Sequence, residues 1–403
     1  MPLLGRLLRR GFALADKIVP ATWPQACTAE ALIAAAQASP DADSREGLAQ
    51  LLASLAAESE LSLFGRLSLR WDLERLLRNA QAIAGAHAAN PALAAAPIEA
   101  PVFILGLPRA GTTFLHELLA RDPANAVPRH WQTVFPAPRP ANFNAALDSR
   151  VRQANRQLSV FAGLAPGFAG LHPITAESPQ ECSEITAHVF QSLRFDTTHR
   201  VPSYLRWLDA NGHHAAFAFH KRFLQVLQNG SPARWVLKCP DDTFALDAIL
   251  HTYPDARFVI VHRDPVAVIG SVAHLTAVLR RPFLERVDLA EIGAQVSQRW
   301  TEGANLLLDF DNRVDVPPER KLHLHYRDVT TAPLGVVARI YARFGLPLDS
   351  SALAAMARHV NARPRGGYGA HAPYRLEDFG LTEAALRPGF APYVAQFCAP
   401  SPA

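Results

Sequence analysis

The chain has 403 residues, of which 49% are hydrophobic and 19% charged, so it can bury a sizeable core and is too apolar for a disordered protein. Its formal net charge of +4 is too small to indicate a nucleic-acid-binding protein. The four cysteines form no C-x-x-C pair, so neither a zinc site nor a disulfide framework is predicted. A reducing, cytoplasmic setting fits this cysteine usage.

The first hundred residues carry spaced leucine and alanine and few β-branched residues, which is typical of helices. Helices are predicted over residues 29–38, 44–58 and 71–87, with a turn and cap at residues 41–44. We expect residues 1–100 to form an N-terminal helical region that serves as a scaffold or contributes to ligand binding or dimer contact.

Residues 1–18 place several leucines opposite arginines and a lysine on one predicted helix. Two interpretations stay open: this helix packs on its own domain, or it docks on a membrane surface. No stretch of the chain reaches the length and apolarity typical of a transmembrane helix.

From residue 101 onward, short apolar runs alternate with helical segments, which predicts an α/β fold with a parallel sheet and helices on both faces. The predicted strands are residues 102–105, 235–238, 258–262 and 322–326. A helix is predicted after each strand, and the first two begin near Thr112 and near Asp242, which would be an N-cap. The third begins at Pro265. The fourth is capped near Thr331 and ends at Gly345. Residues 124–233 interrupt this alternation and are predicted as a mostly helical insertion.

Residues suited to ligand binding stand at the ends of the predicted strands. Gly106, Lys238, Arg263 and Tyr326 each end or follow one of these runs. In open α/β sheets, ligands bind at the carboxyl ends of the strands. The pattern therefore predicts that these four residues surround one binding site.

The loop after the first strand resembles a P-loop, whose pattern is G-x-x-x-x-G-K-[ST]. Gly106 and Gly111 occupy the two glycine positions, but Thr112 stands where the lysine is expected. The loop offers backbone N–H groups, the hydroxyls of Thr112 and Thr113, and the guanidinium of Arg109. Because an NTPase uses the missing lysine on its β- and γ-phosphates, the loop favours another anion, with an NTPase or small-molecule kinase as the alternative.

Several segments together resemble the sulfotransferase family, whose fold is P-loop-like. They are residues 106–113 (similar to its 5′-phosphosulfate loop), 236–240 (its strand ending in a lysine), 261–265 with Ser271 (its 3′-phosphate motif), 326–328, and the tail 368–381, which resembles the end of a bacterial branch. The resemblance covers residues 101–397, which we predict to be the sulfotransferase domain.

The resemblance implies a reaction and a donor. The donor would be 3′-phosphoadenosine 5′-phosphosulfate (PAPS), used without a metal, and the acceptor a hydroxyl or amine of a small molecule, lipid or glycan. Residues 124–233 would bind this acceptor. The implied donor-binding residues are Arg109, Ala110, Gly111, Thr112, Thr113, Arg263, Ser271, Tyr326, Arg363, Arg365 and Gly366.

The sequence leaves open alternative roles for some of the predicted site residues. The resemblance gives Lys238 the catalytic role of neutralising the bridging oxygen as the phosphate leaves, but Lys238 could instead pair with Asp241 or Asp242. Arg109, the other predicted catalytic residue, would bind the 5′-phosphosulfate with its guanidinium, or be a solvated loop charge. Tyr326 could approach the nucleotide or be a packed core residue. We expect Asp264 to orient Arg263 or to cap the following helix.

The base that takes the acceptor's proton is the least defined residue. The bacterial branch often has Trp-Glu after the first helix, whereas this chain has Gln132, which is not a base. His130, titrating near a pKa of about 6.5, and Glu181 are the main candidates. Less favoured are His172, Glu184 and His188. Gln132 also leaves open a member of the family that binds nucleotide without catalysis.

Overall fold

The computed structural model describes residues 11–12, 27–362 and 374–398. The strands in this part of the chain are β1 (Val102–Leu105), β2 (Asn125–Ala126), β3 (Arg234–Lys238), β4 (Arg257–His262) and β5 (Lys321–His325). All pairings are parallel, and the order across the sheet is β2-β3-β1-β4-β5. The carboxyl ends of the strands therefore share one edge of the sheet.

Helices make up most of the remaining described chain. They are α1 (Ala29–Ala36), α2 (Ala42–Glu58), α3 (Leu63–Ala89), α4 (Ala92–Ala95), α5 (Thr112–Leu119), α6 (His130–Val134), α7 (Ser149–Leu164), α8 (Phe168–Leu171), α9 (Cys182–Thr186), α10 (Arg194–Thr198), α11 (Pro202–Asn211), α12 (His214–Gln228), α13 (Leu246–Thr252), α14 (Pro265–Arg280), α15 (Leu289–Asp311), α16 (Tyr326–Thr331), α17 (Pro333–Arg343), α18 (Ser350–Ala362) and α19 (Glu383–Phe397).

The chain divides into two compact units. The helical unit combines Met1–Pro97, Pro128–Pro232 and Thr276–Val287. The sheet unit combines Ile98–Val127, Ala233–Leu275 and Asp288–Ala403. The predicted N-terminal region and most of the predicted insertion thus belong to one unit.

In the sheet unit, helices cover both faces of the sheet, as the alternation of runs predicts. On one face, strand residues such as Val102, Val259 and Leu324 pack in a common core with side chains of α5, α17 and α18. On the other face, the ring of Phe258 meets Phe310 of α15 with centroids 4.8 Å apart. Each fully buried large apolar side chain contributes roughly 1.5–3 kcal/mol, so this double layer stabilises the strands that carry the loops.

One predicted helix start in the sheet unit is wrong. Asp242 is not an N-cap, because a 3-10 helix already runs from Pro240 to Ala245 and α13 begins after it. Pro240 fixes φ directly after the strand and starts this tighter turn. The helix start predicted near Thr331 is confirmed, although Thr331 itself is not the cap. Thr331 ends α16, and α17 begins at Pro333, whose ring suits the first helical position.

The helical unit also differs from the prediction at one helix start. The third helix begins at Leu63, eight positions before the predicted Trp71, because Ser62 caps it and accepts a hydrogen bond from the N–H of Gly65. The predicted cap at residues 41–44 is confirmed, since Asp41 accepts from the N–H of Ser44. Of residues 1–18, only 11–12 are described, so the amphipathic helix predicted there lies outside the described residues.

A network of charged side chains joins three helices of the helical unit. Asp72 on α3 accepts hydrogen bonds from Arg75 at 2.6 Å and from Arg194 at 2.7 Å. Arg194 on α10 also pairs with Glu184 on α9 at 2.9 Å. Burial alone would raise the pKa of Asp72, but Arg194 and Arg75 hold it well below its usual range. The network therefore stays charged at neutral pH.

None of the described helices is both long and apolar enough to cross a membrane.

Buried histidines predict that the protein loses stability in mild acid. Burial lowers the pKa values of His188, His199 and His220 to about 3 in the folded protein. Between these values and about 6.5 the unfolded chain binds more protons, so this stability is fully present above pH 6.5 and is lost as the pH falls. His220→Gln should reduce the slope of unfolding free energy against pH by about 1 kcal/mol per pH unit between about pH 5 and pH 7, since the unfolded imidazole titrates within that range.

Urea unfolding at about pH 5 and about pH 7 measures this slope. The control is His251→Gln on α13, since His251 is exposed in the folded protein. An unchanged slope in His220→Gln would show that His220 takes up no proton on unfolding.

Candidate functional site

The loop between β1 and α5 depends on a close contact between two strands' backbones. Gly106 has φ 137°, and a Cβ placed there would lie 2.3 Å from the carbonyl oxygen of Val261 on β4. Arg109 and Gly111 also have positive φ values, of 64° and 88°. Only a chain with glycine at 106 can therefore turn here while β1 and β4 stay paired.

The turn ends at the start of α5. Gly111 is the N-cap residue of α5, and Thr112 is its first helical residue. No side chain at the N-cap position accepts a hydrogen bond from the first N–H groups of the helix. The first N–H groups of a helix have no acceptor within the helix, and the helix dipole favours negative charge at this end. The loop and α5 thus form the anion cradle that the sequence predicts.

Two arginines meet at this cradle. Nε of Arg109 donates to Oγ of Ser271 on α14 at 3.2 Å. Nη1 of Arg263, which follows β4, donates to the carbonyl oxygen of Arg109 at 2.6 Å. Burial, and to a lesser degree the charge of Arg263, lower the pKa of Arg109. An anion bound at this point would relieve the repulsion between the two guanidiniums.

Tyr326 supports these residues with its ring. The guanidinium of Arg263 lies over the ring at 4.1 Å from its centroid, and a Cβ at Gly111 would approach Cδ2 of Tyr326 to 3.1 Å. The ring is half-buried. It therefore holds the position of Arg263 through a cation–π contact, while its predicted approach to the nucleotide stays a prediction.

Lys238 reaches the cradle from the next strand. It ends β3, pairs in register with Ile104 of β1, and is only 2% exposed. Its Nζ donates to Oγ1 of Thr113 at 3.2 Å. The ammonium of Lys238 therefore lies at the cradle, beside the hydroxyl of Thr113.

Asp264 caps the helix that follows Arg263. Its Oδ1 accepts from the N–H of Val266 at 2.9 Å. This confirms the predicted capping role.

The sheet unit thus brings together most residues of the predicted donor site. Contacts connect Arg109, Thr113, Lys238, Arg263, Ser271 and Tyr326, with Ala110, Gly111 and Thr112 in the same loop and helix start. Arg363, Arg365 and Gly366 lie outside the described residues.

His130 lies in the helical unit, at the first position of α6, and is half-buried. Its Nδ1 is 2.9 Å from Nε2 of Gln180. Burial, together with the charges of Arg75 and Arg194, lowers its pKa to about 4. The expected titration near 6.5 is therefore wrong, because like charges and burial disfavour the imidazolium.

Glu181, the other main candidate, stands at the N-cap position of α9, yet its side chain makes no capping hydrogen bond. Its backbone N–H donates to Oε1 of Gln180 at 2.9 Å. Gln132 is buried and structural. Its Oε1 accepts from the N–H of Arg129 at 3.0 Å, which caps α6.

Two of the less favoured base candidates are held in structural contacts. Glu184 pairs with Arg194. His188 is fully buried, donates from Nδ1 to the carbonyl of Ile185 at 3.0 Å, and accepts from Asn79 at 3.2 Å. His172 is half-buried. Sequence reasoning missed Gln180, which bridges His130 and Glu181, because nothing in the local pattern marks that amide.

The sequence model of the sulfotransferase family matches residues 101–350, and the chain belongs to this family. Its fold is that of solved members. The chain is similar to sulfotransferase STF1 from Mycobacterium tuberculosis H37Rv, with 31% identity and a TM-score of 0.80 over 91% of this chain and 99% of that one. It is also similar to sulfotransferase STF9 from Mycobacterium avium, with 28% identity and a TM-score of 0.82 over 92% and 95% of the two chains.

A curated relative is the omega-hydroxy-beta-dihydromenaquinone-9 sulfotransferase Stf3 of Mycobacterium bovis. It is 27% identical over 269 residues, which are 61% of this chain. The match spans 63% of the relative's own length.

The close contact at Gly106 predicts a large effect of one methyl group. Gly106→Ala should destabilise the protein by more than the roughly 1–2 kcal/mol of left-handed strain, because its Cβ also meets the backbone of Val261. Gly345→Ala is the matched control. Gly345 has φ 60° and open space around its Cβ position, so only the strain remains. Equal losses in urea unfolding would show that the strand contact adds nothing.

Proposed function

We propose that the protein transfers a sulfuryl group in line from PAPS to a hydroxyl or amine of an acceptor. The observation that carries this proposal is the meeting of Lys238, Thr113 and the paired Arg109 and Arg263 at one helix N-terminus. Membership of the sulfotransferase family supports the same reaction.

The donor would lie along the strand ends of the sheet unit. The N–H groups at the start of α5, with Arg109 and the hydroxyls of Thr112 and Thr113, would bind the 5′-phosphosulfate. Arg263 and Ser271 would bind the 3′-phosphate. Arg363, Arg365 and Gly366 would complete this phosphate site, as the family resemblance implies.

The chemical step follows from these positions. The acceptor oxygen or nitrogen forms a bond to sulfur, and the bond from sulfur to the bridging oxygen breaks with its electron pair. The product nucleotide leaves as 3′-phosphoadenosine 5′-phosphate, and the acceptor's proton passes to a base, for which His130 and Glu181 are the candidates. Lys238 would neutralise the bridging oxygen, whose charge grows most in the transition state. No step requires a metal.

We infer a lipid-like, hydroxylated acceptor, because the Mycobacterium bovis relative is named for an omega-hydroxy menaquinone. A smaller molecule or a glycan would be found by the same experiment. PAPS and the purified protein are incubated with a metabolite and lipid extract, and mass spectrometry identifies products that gain one sulfuryl group.

Donor binding should be independent of divalent metal. Saturating 3′-phosphoadenosine 5′-phosphate should raise the melting temperature equally with and without EDTA, because a ligand that binds only the folded protein stabilises it. Differential scanning fluorimetry measures this. Magnesium-dependent binding of ATP, with no response to PAPS or its product, would contradict the proposal and favour an NTPase or kinase. Binding of the product without any transfer would indicate a catalytically inactive member.

Lys238 and Ser271 should separate chemistry from donor binding. Lys238→Ala should lower kcat much more than donor affinity, because its charge acts mainly on the leaving oxygen. Ser271→Ala should weaken donor binding instead, by roughly 1.5–3 kcal/mol for a hydrogen bond to a charged group. Release of the product nucleotide gives kcat, and titration calorimetry gives the affinity.

Lys321→Ala is the matched control for Lys238→Ala. Lys321 is also buried, but it begins β5 and donates to the carbonyl of Asp311 at 2.7 Å, at the opposite edge of the sheet. It should lower stability without changing kcat. A Lys238→Ala variant with unchanged kcat and weak donor binding would show that the lysine only binds.

A further inference from the structure

The amide of Gln180 joins His130 to Glu181. Gln180 is only 7% exposed, and its backbone N–H donates to the carbonyl of Pro128 at 2.8 Å. Nε2 of the amide lies 2.9 Å from Nδ1 of His130, and Oε1 lies 2.9 Å from the backbone nitrogen of Glu181. The residue is therefore fixed at its backbone and at both ends of its side chain.

The backbone of Glu181 decides which way this amide is turned. A backbone N–H can only donate, so the amide atom that faces it must be the oxygen. Turning the amide over would place two donors against each other. The NH₂ group of Gln180 therefore faces His130, and it too can only donate. Nδ1 of His130 must accept, which leaves the proton of the neutral imidazole on Nε2.

The backbone of His130 is held in the same way. Its N–H donates to the carbonyl of Ser178 at 3.0 Å, and the N–H of Trp131 donates to the carbonyl of Ala176 at 2.9 Å. These backbone bonds hold residues 128–131 beside residues 176–180, and the contact at 2.9 Å places Nδ1 of the ring against the amide of Gln180.

We propose that Gln180 is a positioning residue that locks His130 as the Nε2–H tautomer, so that His130 acts as a hydrogen-bond donor and not as the general base. The functional part of this inference rests on the proposed sulfuryl transfer. A neutral imidazole that carries its proton on Nε2 has only Nδ1 left to accept another, and Gln180 already occupies Nδ1. Glu181 then remains as the main candidate for the base.

The charges around His130 also favour its neutral form. Arg75 on α3 and Arg194 on α10 are its cationic neighbours, and His172 adds a smaller effect of the same sign. A second proton on His130 would meet these charges. A neutral donor avoids the conflict.

Gln180→Glu tests the lock with almost no change of shape. The new carboxylate still accepts from the N–H of Glu181, but it presents an acceptor to Nδ1 of His130. The proton should move to Nδ1, and the pKa of His130 should rise by roughly 1–3 pH units. Long-range ¹H–¹⁵N spectra of the full-length protein labelled with ¹⁵N-histidine distinguish the two tautomers and the imidazolium, and His130→Gln assigns the signal.

Gln132→Glu is the matched control. It adds the same charge two positions from His130, at a buried amide whose hydrogen bonds go to Arg129 and Ala137. It should keep the Nε2–H tautomer, as should the wild type at about pH 7. A wild-type spectrum with the proton on Nδ1, or the same tautomer change in both variants, would overturn the inference.

The spectra do not depend on catalysis, so the two proposals fail separately. If the wild type binds neither PAPS nor 3′-phosphoadenosine 5′-phosphate, the proposed function is refuted, while a locked Nε2–H tautomer would still support the positioning role of Gln180.

Discussion

The close approach of Gly106 to Val261 is the constraint on which the candidate donor site depends. Val261 lies two residues before Arg263, so the strand contact that excludes a Cβ at 106 also brings the loop beside that arginine. Arg263 then donates to the carbonyl of Arg109. The absence of a side chain at Gly106 thus allows the loop proposed to bind the 5′-phosphosulfate to lie beside Arg263, which is proposed to bind the 3′-phosphate. The two groups of residues come from separate strand–helix repeats of the chain.

Positive charge concentrated at this point is costly without an anion. Arg109 is partly desolvated, and Arg263 further lowers its pKa. The ring of Tyr326 compensates in part, because its face attracts the guanidinium of Arg263. A donor with phosphate and phosphosulfate groups would add negative charge beside these two guanidiniums. Its binding free energy would then include relief of a repulsion that already exists in the free protein.

The residues that meet around the loop at 106–113 could be predicted because the sequence patterns that mark them are local. A buried run, a glycine and a helix start identify the loop at residues 106–113, and apolar runs ending in Lys238 and before Arg263 identify the neighbouring strands. Contacts between distant segments leave no such pattern. Arg263 stacks on Tyr326, which lies far along the sequence from it. The hydrogen bond from Gln180 to His130 joins residues 50 positions apart. The early start of α3 was missed because a single serine cap decides it.

Two glutamine amides lie close to His130 in the helical unit. The amide oxygen of Gln132 accepts from the N–H of Arg129 and caps α6. The amide of Gln180, which has no charge to titrate, contacts His130 and is proposed to orient it. A carboxylate in its place would attract a proton to the imidazole, whereas the cationic neighbours Arg75 and Arg194 oppose that proton. In the proposed role of Gln180, a neutral amide would let His130 keep one defined tautomer across the physiological pH range, and the acid–base role would pass to a carboxylate such as Glu181.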